Sequence, residues 1–148
     1  MNKNFMTIEF PSLSANEDFA EKTVAAFAMQ LDPTQEELAD IRTAVSEAVN
    51  NAIVHAYPDR VGKISLKCRI LNNDILDIVI KDKGRGIEDV ERAARPMYTT
   101  GGANHSGMGF TVMKSFMTSC EVKSTFGKGT TVHMKRKIVP RLWYSNNM

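Results

Sequence analysis

The chain has 148 residues, 43% hydrophobic and 24% charged, with a formal net charge of +2. That length suits one domain with a core large enough to stand without disulfides or a structural metal, and it argues against a second folded domain. Near-neutral charge gives no reason to expect nucleic acid or a membrane as partner, and Cys68 and Cys120 lack any CxxC or Cys/His ligand spacing, so both read as buried structural residues.

The opening "MNKNFMTIEF" has no apolar h-region, and no later stretch approaches the apolar length of a membrane span, so a cytoplasmic protein is expected. "FMTIEF" alternates Phe5, Thr7 and Glu9 against Met6, Ile8 and Phe10, the period of a strand, which Pro11 ends. A capping signal at Ser14 or Asn16 leads into a first helix, where Phe19, Thr23, Ala26, Phe27 and Gln30 or Leu31 fall near helical spacing. Thr34, three residues before Glu37, forms a capping-box pattern opening the longest helix, which runs to Tyr57 before Pro58.

"KISLKCRIL" and "DILDIVIKD" flank "NND" and predict an antiparallel hairpin. From Gly84 to Gly109 seven residues are glycine or proline, which predicts a long functional loop with at most a short helix near Ile87 to Ala94. "GFTVMKSFM" resumes as helix, "CEVKSTFGKGTTVHMKRKI" predicts a second hairpin turning at Gly127 to Gly129, and residues 140–148 form a tail after a domain spanning 1–139. "KRK" at 135–137 reads as a solvated strand edge. Helices and strands in separate runs, with two hairpins, predict an α+β two-layer sandwich rather than a doubly wound parallel fold.

On the long helix, Glu47, Asn50, Asn51 and Val54 stand at i, i+3, i+4 and i+7, opposite Leu38, Ile41, Val45, Val49, Ala52 and Ile53. Asn is a poor helix-interior residue. The stripe is either a solvated face or a site. An amide oxygen can join a hydrated Mg²⁺ that bridges phosphates, and a carboxylate one turn away can accept a proton from an attacking hydroxyl.

"KDKGRGIED" ends a strand at Asp82, followed by Gly84 and Gly86: either an ordinary turn or a close backbone approach to a flat ligand whose exocyclic amine donates to Asp82. "SGMGF", Ser106 to Phe110, opens a helix, so the amides of Gly107, Met108 and Gly109 can face an anion. Walker A, complete GxGxxG and the paired HRD and DFG motifs are all absent from the sequence.

The remaining ordered set, ExxNN on a helix, DxGxG after a strand, a glycine-rich loop, SGMGF and a late GTT, resembles the GHKL superfamily of ATP-binding domains from Phe5 to about Lys137. "LSANEDFA", "QLDPT", "VSEAVNNAIVHAY", "RPMYTT" and "SGMGFTVMKSFM" are similar to its anti-sigma-factor serine kinases of spore-forming bacteria, with the stress-response anti-sigma kinases as the near alternative. The resemblance implies a Bergerat-type ATP-binding fold, a two-layer sandwich of a mixed, mainly antiparallel sheet and helices. It implies ATP and Mg²⁺ as cofactors, a sporulation sigma factor and an anti-sigma-factor antagonist with a phosphoacceptor serine as partners, and a homodimer.

By position, the same resemblance makes Glu47 the general base and Asn50 the Mg²⁺ ligand, with Asn51 contacting nucleotide or bracing the site. Asp82 would bind the adenine amine in a pocket shaped by Gly84 and Gly86 and supported by Thr130. Ser106, Gly107, Met108 and Gly109 would meet the phosphates, and residues 99–105, including Thr99, Thr100 and His105, would form the lid. Gly101, Gly102 and His105 stand where the family lid commonly carries charge. His is mostly neutral at pH 7, so weaker phosphotransfer and a nucleotide-gated binding module form the competing expectation. A histidine kinase catalytic domain is disfavoured because no segment is left for a helical hairpin bearing a phosphoacceptor His; His55 reads as structural.

Overall fold

A computed structural model of the chain describes residues 2–86 and 109–139. Five strands, β1 (Asn2–Pro11), β2 (Lys63–Leu71), β3 (Ile75–Asp82), β4 (Ser119–Thr125) and β5 (Gly129–Lys137), form one sheet in the order β1-β2-β3-β5-β4. Every pairing is antiparallel. The parallel component of the expected mixed sheet is not among the described strands. Helices α1 (Ala15–Ala28), α2 (Gln35–Asn51) and α3 (Gly109–Phe116) supply the second layer, with α2 packed against both others.

Both hairpins form because their turns carry the residues the geometry needs. Asn72 and Asn73 adopt positive φ of 54° and 68°, and Asp74 N bonds Leu71 O at 3.2 Å, the primed turn that matches strand twist. In the second hairpin Gly127 takes φ 84°. The expected helix near residues 87–94 and the tail 140–148 lie outside the described residues.

The capping box is formed as the sequence predicts. Thr34 Oγ1 accepts from Glu37 N at 3.1 Å and Glu37 Oε1 accepts from Thr34 N at 2.9 Å. Glu37 Oε2 also accepts from Val139 N at 3.0 Å, which ties the start of α2 to the end of β5. Ser14 differs: it occupies the cap position with helical φ and ψ of −56° and −32° and makes no side-chain cap bond. A capping side chain reaches the N2 or N3 amide only from an extended residue. Asn16 Nδ2 instead donates to Pro11 O at 2.9 Å.

The face of α1 that packs inward is also rotated from the expected one. Ala20, Val24 and Ala28 are fully buried while Phe19 is 52% exposed. Small side chains at i, i+4 and i+8 let α1 lie close to α2, whose Ala44 and Ala48 are buried in turn. Ile41, Val45 and Val49 of α2 meet Ile64, Leu66, Ile78, Ile80 and Met134 of the sheet in one cluster, each large aliphatic worth about 1.5–3 kcal/mol on burial. Cys68 belongs to this core, and its burial, with Asp77 adding, pushes the thiol up to about 12. Cys120 is half-buried rather than buried.

The outer face of the sheet is polar around one buried carboxylate. Asp77 is fully buried between Arg69 Nη2 at 2.8 Å and His133 Nε2 at 2.5 Å. The "KRK" run does not form a sheet edge: β5 lies between β3 and β4, and Arg136 meets Asp40 Oδ2 at 3.0 Å and Phe116 O at 3.2 Å. Hairpin register alone does not say which strand is inserted between two others. No helix among the described residues is long and apolar enough to cross a membrane.

Candidate nucleotide site

Two clusters of site residues emerge, joined by one helix. Glu47, Asn50, Asn51 and Val54 are all half-buried, the stripe that the helical spacing predicts. Their helix does not run unchanged to Tyr57. It is α-helical to Asn51 and continues as a π turn, Ala52–Ala56, a form frequent at functional sites. The turn delivers the Ala56 carbonyl to Arg85 N, 3.0 Å away. His55 lies within this turn.

The second cluster sits where β3 meets β5. Asp82 pairs with Ile64 on one side and Thr130 on the other. Its Oδ1 accepts from Gly84 N at 3.0 Å and Thr130 N at 3.2 Å. Burial pushes the Asp82 pKa up, and these two amide donors pull against it. Thr130 is buried and its Oγ1 lies 2.8 Å from Ser124 Oγ. Gly84 is required here: a Cβ would stand 2.3 Å from Ala56 O. Gly86 has φ +75°, and a Cβ there would stand 2.3 Å from Thr125 O. Glu47 is nine residues before Ala56, four of them to the end of the α-helical part and five through the π turn. One helix therefore spaces a carboxylate and two amides from a rigid carboxylate turn.

Electrostatics at the first cluster favour a protonatable group. Glu47 is raised above the usual glutamate range, mainly by burial and further by the charge of Glu17. An open groove of about 310 Å³ between α1 and α2 is lined by Glu21, Ala39, Arg42, Thr43, Ser46 and Glu47. Arg42 Nε meets Glu21 Oε1 at 2.7 Å, and Ser46 Oγ donates to Glu17 Oε1 at 2.5 Å.

Gly109 opens α3, the helix packed on α2. Thr99, Thr100, His105, Ser106, Gly107 and Met108 lie outside the described residues. The sequence reasoning passed over Ala56 and Tyr57, which brace the Asp82 turn, and Glu17, which acts on Glu47. Tyr57 carried only a helix-stop signal from Pro58, and Glu17 only a first-turn signal.

The family described as "Histidine kinase-like ATPase domain" matches residues 10–136. The chain belongs to that family. Within the histidine kinase-like ATPases it is 56% identical over 136 residues to a protein named anti-sigma F factor from Caldanaerobacter subterraneus subsp. tengcongensis, covering 91% of this chain and 94% of that one. It is 51% identical over 140 residues to the anti-sigma F factor of Clostridium novyi, covering 93% and 97%. Among solved structures, the RsbU and RsbW domains of Rv1364c from Mycobacterium tuberculosis align with TM-score 0.68 at 15% identity, over 92% of this chain and 33% of that one. The mycobacterial sensor histidine kinase MprB aligns with TM-score 0.57 at 15% identity, over 93% and 99%. At that identity the two structures bear on the fold, which they share with this chain.

Proposed function

We propose that this protein is a cytoplasmic anti-sigma factor that binds a sporulation sigma factor and, with Mg-ATP, phosphorylates a serine of an anti-sigma-factor antagonist, acting as a homodimer. The observation that carries the reading is the single helix that holds Glu47, Asn50 and Asn51 on a half-buried stripe and ends against the Asp82–Gly84 turn. Family membership and relatives named anti-sigma F factor support it.

The donor chemistry fits the proposed cofactor. Mg²⁺ takes hard oxygen ligands, keeps several waters and shares phosphate oxygens, so it needs few protein groups. Asn50 would supply an amide oxygen, and among the described residues no three His, Cys, Asp or Glu side chains gather as a dedicated metal cage. Held there, Mg²⁺ would neutralise charge on the phosphates.

The protein's own groups do the rest. Asp82, pinned by two backbone donors, accepts the adenine amine, and its turn is tied to the end of the helix by the bond from Arg85 N to Ala56 O. Glu47 takes the proton of the serine hydroxyl as the oxygen bonds to the γ-phosphorus and the bond to ADP breaks. Its raised proton affinity makes it a stronger acceptor while it remains ionised. Ser106, Gly107, Met108 and Gly109 would meet the phosphates beneath a lid that includes Thr99, Thr100 and His105, and Gly86 and Thr130 would complete the adenine side.

The deciding experiment is mass spectrometry of a purified antagonist after incubation with this chain and Mg-ATP, beside a Glu47→Ala control. One phosphoserine with the wild type only, and ATP binding within a few fold in the variant, is the expected result. ATP and sigma-factor binding without phosphate transfer would make the protein a nucleotide-gated sequestering module.

A further inference from the structure

We propose that Tyr57 is a positioning residue for purine selection: its hydroxyl fastens the backbone on which Asp82 stands, so that this carboxylate meets the purine 6-position from a fixed place. The inference rests on the proposed pairing of Asp82 with the adenine amine and deepens it.

Tyr57 is the first residue beyond the π turn and is 5% exposed. Its hydroxyl donates to Lys63 O at 2.8 Å and accepts from Lys83 N at 2.7 Å. Lys63 opens β2 and Lys83 follows the last residue of β3, so the hydroxyl closes the ladder just beyond the Ile64 and Asp82 pair. A tyrosine hydroxyl has one proton to give, and here its donor and an acceptor position are both used, which fixes its direction.

The ring is held as firmly as the hydroxyl. A Cβ on Gly62 would stand 2.2 Å from Tyr57 Cε1, so that glycine leaves room for the ring. The Arg60 guanidinium lies over the ring at 5.4 Å from its centroid. The neighbouring Ala56 carbonyl receives Arg85 N and leaves no room for a side chain on Gly84. Residues 83 and 85, on either side of Gly84, are thus bonded to Tyr57 and Ala56 at the end of the same helix. Among the described residues the bonds to Asp82, from Gly84 N and Thr130 N, both go to Oδ1, so Oδ2 is the oxygen assigned to the ligand, and its direction follows the backbone that Tyr57 holds.

Inosine triphosphate provides the probe because it differs from ATP at the base, where a 6-oxo acceptor replaces the 6-amine donor. A carboxylate placed for the amine is left unpaired and faces a carbonyl, so the ratio of the two affinities reports where Asp82 stands. A residue that merely supports the fold lowers the melting temperature and weakens both nucleotides alike.

The test is calorimetric titration of the full chain with Mg-ATP and Mg-inosine triphosphate, for wild type, Tyr57→Phe and Gly62→Ala. Wild type is expected to prefer ATP, and Tyr57→Phe, which removes both bonds of the hydroxyl, to narrow that preference by about three- to tenfold. Gly62→Ala, which displaces the ring without removing the hydroxyl, is expected to narrow it too, and it keeps the test intact if the phenylalanine variant folds poorly. An unchanged ratio in both variants beside a clear wild-type preference would overturn the role of Tyr57 alone. No wild-type preference would overturn the adenine reading of Asp82 and this inference with it.

Discussion

The carboxylate of Glu17 on α1 accepts a hydrogen bond from Ser46 Oγ on α2 at 2.5 Å, one residue before Glu47 in the chain. That bond holds a negative charge beside a carboxyl already raised by burial. Glu17→Gln keeps an acceptor for Ser46 and removes the charge, so the Glu47 titration midpoint is expected to fall toward the ordinary glutamate range. Carboxyl NMR of the two proteins measures it directly. High salt should bring the wild type part of the way, because a charge at a partly exposed site is screened.

Stability follows with a definite sign. A carboxyl whose pKa is higher folded than unfolded binds its proton more tightly in the folded state, so its ionisation opposes folding. Glu47→Gln is therefore expected to stabilise the protein above the folded pKa of Glu47. That gain should shrink as pH falls through the folded value and vanish below the unfolded one. Melting temperatures of both proteins across the acid range test the sign; a variant less stable at neutral pH contradicts it.

Asp82→Asn preserves the oxygen that Gly84 N and Thr130 N need, while removing the charged acceptor proposed for adenine. A hydrogen bond to a charged group is worth about 1.5–3 kcal/mol. ATP affinity should fall about ten- to a hundredfold with little change in melting temperature, read by calorimetry and thermal unfolding on the same preparation.

Gly84→Ala acts on the same turn from the opposite side. Its methyl would meet the Ala56 carbonyl at 2.3 Å, and backbone cannot yield as a side chain tip does. Overpacking of this kind costs about 1–3 kcal/mol. Urea unfolding should show that loss together with weakened ATP binding.

Thr34→Ala separates stability from the site. It breaks the capping box at the far end of α2 and should cost about 1 kcal/mol. Nucleotide affinity should remain at the wild-type value under conditions where the protein is fully folded. A parallel loss of affinity would mean that the start of α2 communicates with its end.

The sequence by itself determined the elements whose causes are local. Thr34 with Glu37, the apolar side of α2, the Asn72 and Asn73 turn and the two hairpins all follow from residues within a few positions of one another. The stripe of Glu47, Asn50 and Asn51 was legible for the same reason, since helical spacing fixes which side chains share a face. Chemical roles for those residues came from the family resemblance, because on spacing alone a solvated face is the more ordinary reading of such a stripe than a site.

Only the tertiary structure decided what depends on distant segments meeting. It placed β5 between β3 and β4, which brings Thr130 beside Asp82 across 48 positions and gives Arg136 an acidic partner on α2. It turned Ala20, Val24 and Ala28 inward in place of Phe19, because the approach of a second helix rewards small side chains that no pattern within α1 reveals. It gave Tyr57 its two bonds, to Lys63 and Lys83, through contacts that exist only after α2 packs on the sheet. Burial that raises the Glu47 pKa, and the Glu17 charge that adds to it, arise the same way: both come from surroundings, and a chain's surroundings are set by packing rather than by adjacency.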